Sequence, residues 1–223
     1  MIPIHVHTPE FAEPAAPIYH VVASNGVFLV NKTALFTSVT AVGRVPGLLP
    51  QDVSLQLSVP PVPRHIMERL WGFFLAVSRE WESGEAVAFL HYAPSAGTFR
   101  IDVPPQTLYR VRTHEGWRTE ARVVYGHCNR AAGFLRLGDA HSHGVSEACF
   151  SSRDDADDVE DGLRIVFGGL HRRLPEVRAS FVTNGTRFLL RPKAVVEDFR
   201  VPLTPPRAWL DQVTCQVVGR SRR

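Results

Sequence analysis

Apolar residues recur along the chain at two spacings, and the change between them marks out the elements. In "VSLQLSV" (53–59), Val53, Leu55, Leu57 and Val59 alternate with polar residues, the period of a strand with one covered face. In "PVPRHIMERLWGFFLAVSREW" the spacing lengthens. Ile66, Leu70, Phe73, Phe74 and Val77 fall three and four apart, which predicts a helix over 63–81 with one apolar stripe and Pro63 in its first turn. "EAVAFLHY" (85–92) is a near-continuous apolar run and reads as a buried strand, with "TFRIDVPP" (98–105) as its neighbour.

Upstream, residues 18–41 carry β-branched and aromatic runs broken at Asn25-Gly26, a step that predicts a hairpin. Downstream, strands are expected at 119–128, 131–143 and 162–170, then a second hairpin of "VRASFVTNG" and "TRFLLRPKAVV" about Asn184-Gly185. Pro and Gly punctuate "GRVPGLLPQD" (43–52), and the chain turns Pro-rich after Pro202, ending in a short amphipathic piece and an arginine tail. These breaks divide the chain into a small N-terminal β extension (1–50), a main domain (51–200) and a C-terminal tail (201–223). The expected fold class is α+β: an α/β/α-layered arrangement, with a mixed β-sheet flanked by one long helix and a short helix.

Composition narrows the function classes. Hydrophobic residues at 44% and charged residues at 21% are those of an ordinary globular protein. No apolar run approaches the roughly 18 residues of a membrane span. The opening "MIPIHVHTPEFAEP" has no basic segment followed by an apolar one, so no secretion signal is expected. Cys128, Cys149 and Cys215 are odd in number and unpaired in spacing, which suits a reducing cytoplasm. A net charge of +3 is too small to argue for a nucleic-acid partner. Only Lys32 and Lys193 are lysines, so nearly all positive charge is arginine, densest in "LHRRLPEVR" (170–178) and the terminal "GRSRR".

The candidate chemistry lies in "HSHGVSEACFSSRDD" (141–155). Residues i and i+2 of a strand share a face, so His141 and His143 project side by side while Ser142 turns away. Two imidazoles on one face are a ready pair of zinc ligands, at about 2.0–2.1 Å each. Asp154 follows within reach to add a carboxylate, and Ser151 precedes it by one helical turn. The same residues also read as a surface histidine pair and as a helix-capping pattern, Ser-x-x-Asp, at Ser151/Asp154 and Ser152/Asp155. "DDADDVED" lacks the spacing and glycine of a calcium loop. A second His-x-His, His5-Val6-His7, has no acidic residue at useful spacing.

His141-Ser142-His143 followed by Ser151-x-x-Asp154 resembles the JAMM motif of the JAB1/MPN/Mov34 (JAMM) metalloprotease family, prokaryotic JAB type. That family places an essential glutamate where the strand after its first helix begins, and Glu85 stands there. The resemblance covers residues 52–195. It departs at Gly144, where the family usually has proline. The layout is similar to the JAB-type proteins of PRTRC systems, which are encoded beside ubiquitin-activating-like and ubiquitin-like genes.

The resemblance implies a cytidine-deaminase-like MPN core and a zinc ion (Zn2+) held by His141, His143 and Asp154. It makes Glu85 the general base and acid at the attacking water and the leaving amine, with Glu82 or Glu147 as alternatives. Ser151 would donate a hydrogen bond to the oxyanion. The implied activity is a zinc-dependent metallo-(iso)peptidase cutting after the C-terminal tail of a prokaryotic ubiquitin-like protein, with a ubiquitin-activating-like enzyme as a further partner. Three alternatives stand beside it: a catalytically silent MPN scaffold of a plasmid-type system, a zinc hydrolase of a small amide or sulfur-carrier protein, and, from arginine content alone, a nucleic-acid-associated protein of a plasmid system.

Overall fold

The computed structural model describes residues 2–43, 51–113, 116–128, 131–150 and 160–218. The chain divides into two compact units, Met1–Pro60 and Pro61–Arg223.

In the first unit, β1 (Ile4–Val6), β2 (Ile18–Ala23), β3 (Gly26–Lys32), β4 (Phe36–Gly43) and β5 (Ser54–Leu57) form one sheet in that order. β1 runs parallel to β2 and the other pairs are antiparallel. Alternation along β2 and β3 buries Tyr19, Val21, Ala23, Phe28 and Val30 together with Val39. The expected hairpin forms, but it turns at Ser24-Asn25, one residue before the Asn-Gly step, with Ala23 opposite Gly26.

In the second unit, α1 (Arg64–Glu80) follows Pro63, whose φ of −60° suits entry into a helix. It buries Met67, Leu70, Phe73, Phe74 and Val77. Glu82 and Ser83, with φ of 36° and 69°, reverse the chain after it. Then come β6 (Val87–Ala93), β7 (Thr98–Asp102), β8 (Gln106–Thr113), β9 (Gly116–Tyr125), β10 (Leu135–Ser142), β11 (Gly162–Gly168), β12 (Glu176–Thr183) and β13 (Thr186–Leu190). The four-residue helices α2 (Pro192–Val195) and α3 (Arg207–Leu210) precede β14 (Val213–Val217). Asn184 and Gly185, with φ of 48° and 70°, make the β12–β13 turn that their sequence predicts.

Six strands form a sheet in the order β13-β12-β11-β10-β6-β7. β6 and β11 are buried along their whole length, which explains their near-continuous apolar sequences. β10 lies between them, antiparallel to β6 and parallel to β11. A Cβ at position 138 would lie 1.9 Å from the Leu163 carbonyl oxygen, so only glycine permits this approach of β10 to β11. Phe74 of α1 packs on Phe167 of β11 at 5.2 Å between ring centroids.

The expectation of an α/β/α-layered, cytidine-deaminase-like MPN core is corrected. Among the described residues strands far outnumber helices, and the strands fall in three mixed sheets instead of one sheet between helical layers. The reason lies in pairing. β14, within the tail piece read as amphipathic, runs parallel to β8, a segment for which the sequence predicted no element, with Val213 opposite Gln106. With β9 they build a three-stranded sheet of their own. Alternation predicts that a segment is extended, never which distant segment it joins. Among the described residues no helix is long and apolar enough to cross a membrane.

Candidate functional site

The C-terminal end of β10 carries the histidine pair. His141 is the second-last residue of the strand, and its ring centroid lies 5.2 Å from that of His143, with the planes tilted by 37°. Ser142 points the other way and is 1% exposed. Its backbone N–H donates to the Ala86 carbonyl at 3.1 Å, and its Oγ accepts from the Ala86 N–H at 3.3 Å. The His143 N–H donates to the Phe167 carbonyl at 2.8 Å. Strand ends on both sides therefore fix the backbone that presents the two rings.

Each ring has an acceptor beside Nδ1. His141 Nδ1 lies 3.7 Å from Oδ1 of Asp139, and His143 Nδ1 lies 3.3 Å from the Glu147 carbonyl oxygen. A carboxylate or carbonyl at Nδ1 favours the proton there and makes Nε2 the lone-pair nitrogen, the tautomer a metal requires. Asp139 is held in turn by Arg164 at 3.2 Å, both side chains being largely buried. Burial pushes the Asp139 carboxyl pKa up, but the neighbouring His141 ring and the Arg164 and Arg136 guanidiniums outweigh it and hold it below the usual carboxylate range. An ionised, oriented carboxylate thus stands behind His141.

Glu85 is half-buried and sits just before β6. His141 is opposite Val87 in the β10–β6 pairing, and the Ser142–Ala86 hydrogen bonds carry that register one step further. Continued once more, it sets position 85 opposite His143. Of the alternatives, Glu82 pairs with Arg110 at 3.4 Å, and Glu147 offers His143 its carbonyl. Ser151 and Asp154 lie outside the described residues. Among those described, no three His, Cys, Asp or Glu side chains form a metal-holding group.

Gly144 adopts φ of +55°, and a Cβ there would lie 2.6 Å from the Ser83 carbonyl oxygen. Proline fixes φ near about −65°. Proline cannot adopt the φ of this turn, so position 144 is closed to it. The turn is tied down by Val145 N–H to Ser83 Oγ (3.1 Å) and by Leu170 N–H to the Gly144 carbonyl (3.0 Å).

Sequence reasoning missed Asp139. Its signal was present, since Asp139, His141 and His143 continue one alternation, but the partner Arg164 is on another strand. Cys149, exposed, has its Sγ 3.7 Å from His143 Nδ1. Burial raises the thiol pKa of Cys128 and Cys215.

No protein-family model matches the chain, and no curated protein matches it. Among solved structures it is similar to the solution structure of protein DSY2949 from Desulfitobacterium hafniense. The likeness is 13% in sequence identity, covers 64% of this chain and 92% of that one, and has a TM-score of 0.35.

Proposed function

We propose that the chain is a zinc-dependent peptidase or isopeptidase with a JAMM-type site, acting after the C-terminal tail of a prokaryotic ubiquitin-like protein. The observation that carries it is the oriented histidine pair. Both rings stand on one face of a strand end, each with an acceptor at Nδ1, and one of those acceptors is a buried, ionised aspartate. That donor set fits zinc, with Nε2 of His141 and of His143 as two ligands and Asp154 as the third. Zinc, when bound, supplies a Lewis acid that activates water and polarises the scissile carbonyl.

The chain's own residues do the rest. Glu85 accepts the proton of the attacking water and returns it to the leaving amine nitrogen. The Ser151 hydroxyl donates to the carbonyl oxygen as charge develops there. Asp139 holds the His141 ring in its tautomer, and Arg164 keeps Asp139 ionised.

The test is cleavage of a linear fusion between a prokaryotic ubiquitin-like protein and a reporter, alongside metal analysis. About one zinc per chain is expected, with cleavage after the tail, loss of cleavage on chelation and its return with zinc. A folded protein that takes up no zinc would overturn the metal centre. Stoichiometric zinc with no hydrolysis of any ubiquitin-like fusion would remove the peptidase and leave a metal-bearing scaffold.

A further inference from the structure

A cleft of about 840 Å³ opens in the second unit beside the turn that follows the histidine pair. It borders the Gly144 turn through Val145 and the approach to Glu85 through Glu82 and Ser83. Its apolar wall includes Trp71 and Leu75 of α1, and Leu170 behind β11. Four arginines line it: Arg79, Arg172, Arg173 and Arg200. Two of these guanidiniums come from the arginine-dense stretch 170–178.

The charges of this cleft are unevenly matched. Arg172 pairs with Glu176, and Glu82 is drawn to Arg110. Among the described residues, no carboxylate pairs with the guanidinium of Arg79, Arg173 or Arg200.

We infer that this cleft binds an acidic peptide segment of the protein on which the neighbouring site acts, an assignment that rests on the peptidase reading for the segment's origin alone. The volume falls in the range of ligand sites, about 300–1,000 Å³, and admits a few residues, not a folded domain. Three guanidiniums with no carboxylate partner among the described residues favour carboxylates, and the apolar wall favours aliphatic side chains between them. A phosphate backbone would match the cations but leave that wall uncovered.

Fluorescence anisotropy of the full-length protein tests this, using a labelled eight-residue peptide alternating glutamate with leucine. Its lysine–leucine counterpart serves as control, and inorganic phosphate and a single-stranded oligodeoxynucleotide serve as competitors. The acidic peptide should bind saturably and more weakly as salt rises. The double variant Arg173→Ala/Arg200→Ala should weaken it roughly tenfold or more. Circular dichroism of each variant separates loss of binding from loss of fold. Arg173→Lys/Arg200→Lys should recover part of the affinity. Absence of saturable binding, equal binding of the lysine peptide, unchanged affinity in the folded double variant, or preferential displacement by the oligonucleotide would each overturn the assignment. Binding is read with and without EDTA and should not change. Peptide binding without cleavage of any fusion would keep the cleft and discard the peptidase, whereas cleavage without peptide binding would do the reverse.

Discussion

The chain carries His-x-His twice, on two strands, in different surroundings. His5 and His7 belong to or follow β1, a three-residue strand at the edge of its sheet. His5 meets Tyr19 edge to face at 5.5 Å, and His7 meets Phe11 in the same way at 5.0 Å. His141 and His143 leave the end of β10, which has strands on both sides, and their neighbours are Asp139 and the Glu147 carbonyl. The spacing does the same thing in both places: it puts two rings on one face. What differs is what stands behind each ring. An aromatic edge packs an imidazole and leaves its tautomer open, whereas an acceptor beside Nδ1 favours the proton there and leaves the lone pair on Nε2.

The largest effect expected is on the metal itself. His141→Ala should lose most of the zinc and with it turnover, because an incomplete ligand set binds weakly. Metal analysis of the folded variant is the measurement, and zinc content equal to wild type would break the contrast between the pairs. Glu85→Gln comes next, and it separates holding zinc from using it. Gln keeps the shape of Glu but accepts no proton, so turnover should fall by roughly 10²–10⁴ at unchanged zinc content. A rate within a few-fold of wild type would assign the proton transfer elsewhere.

Asp139→Asn sharpens the comparison at its centre. The variant removes the charge beside His141 and the ion pair between positions 139 and 164. Zinc affinity should drop by roughly 10–100-fold, the usual cost of losing such a partner. Chelator competition reads the affinity and thermal unfolding of the metal-free protein reads the fold. A lower melting temperature with unchanged affinity would make Asp139 a purely structural member of the sheet.

The pair at 141 and 143 was legible because a strand's period of two is a local property. Asp139 lay in the same alternation, yet its meaning depends on Arg164, which sits opposite it only through the β10–β11 register. Non-local pairing also hid the third sheet, since nothing in "VTCQV" says that Val213 lies beside Gln106. Local chemistry was readable elsewhere: the stripe of α1, the apolar run of β6 and the Asn184-Gly185 turn. The layered fold failed where local signals had to be assembled into a sheet order.

Gly144 offers a test of modest size. Its φ of +55° is closed to proline, and the site beside Ser83 has no room for a side chain. Gly144→Pro should therefore destabilise the second unit by more than about 1 kcal/mol. Denaturant unfolding measures it. A neutral or stabilising result would mean that the turn takes another conformation in solution, one that also repositions His143.

The smallest effect belongs to the other pair and closes the contrast. His5→Ala removes an edge-to-face contact with Tyr19 on an edge strand and touches no acidic group. A loss of about 0.5–1.5 kcal/mol from that ring pair is expected in the stability of the first unit. Zinc content and turnover should stay at their wild-type values, because among the described residues the ring packs on Tyr19 and the proposed metal site is at the end of β10. Zinc lost on His5→Ala, in a protein that still folds, would show that spacing alone recruits the metal. The carboxylate behind His141 would then cease to be what distinguishes the two pairs.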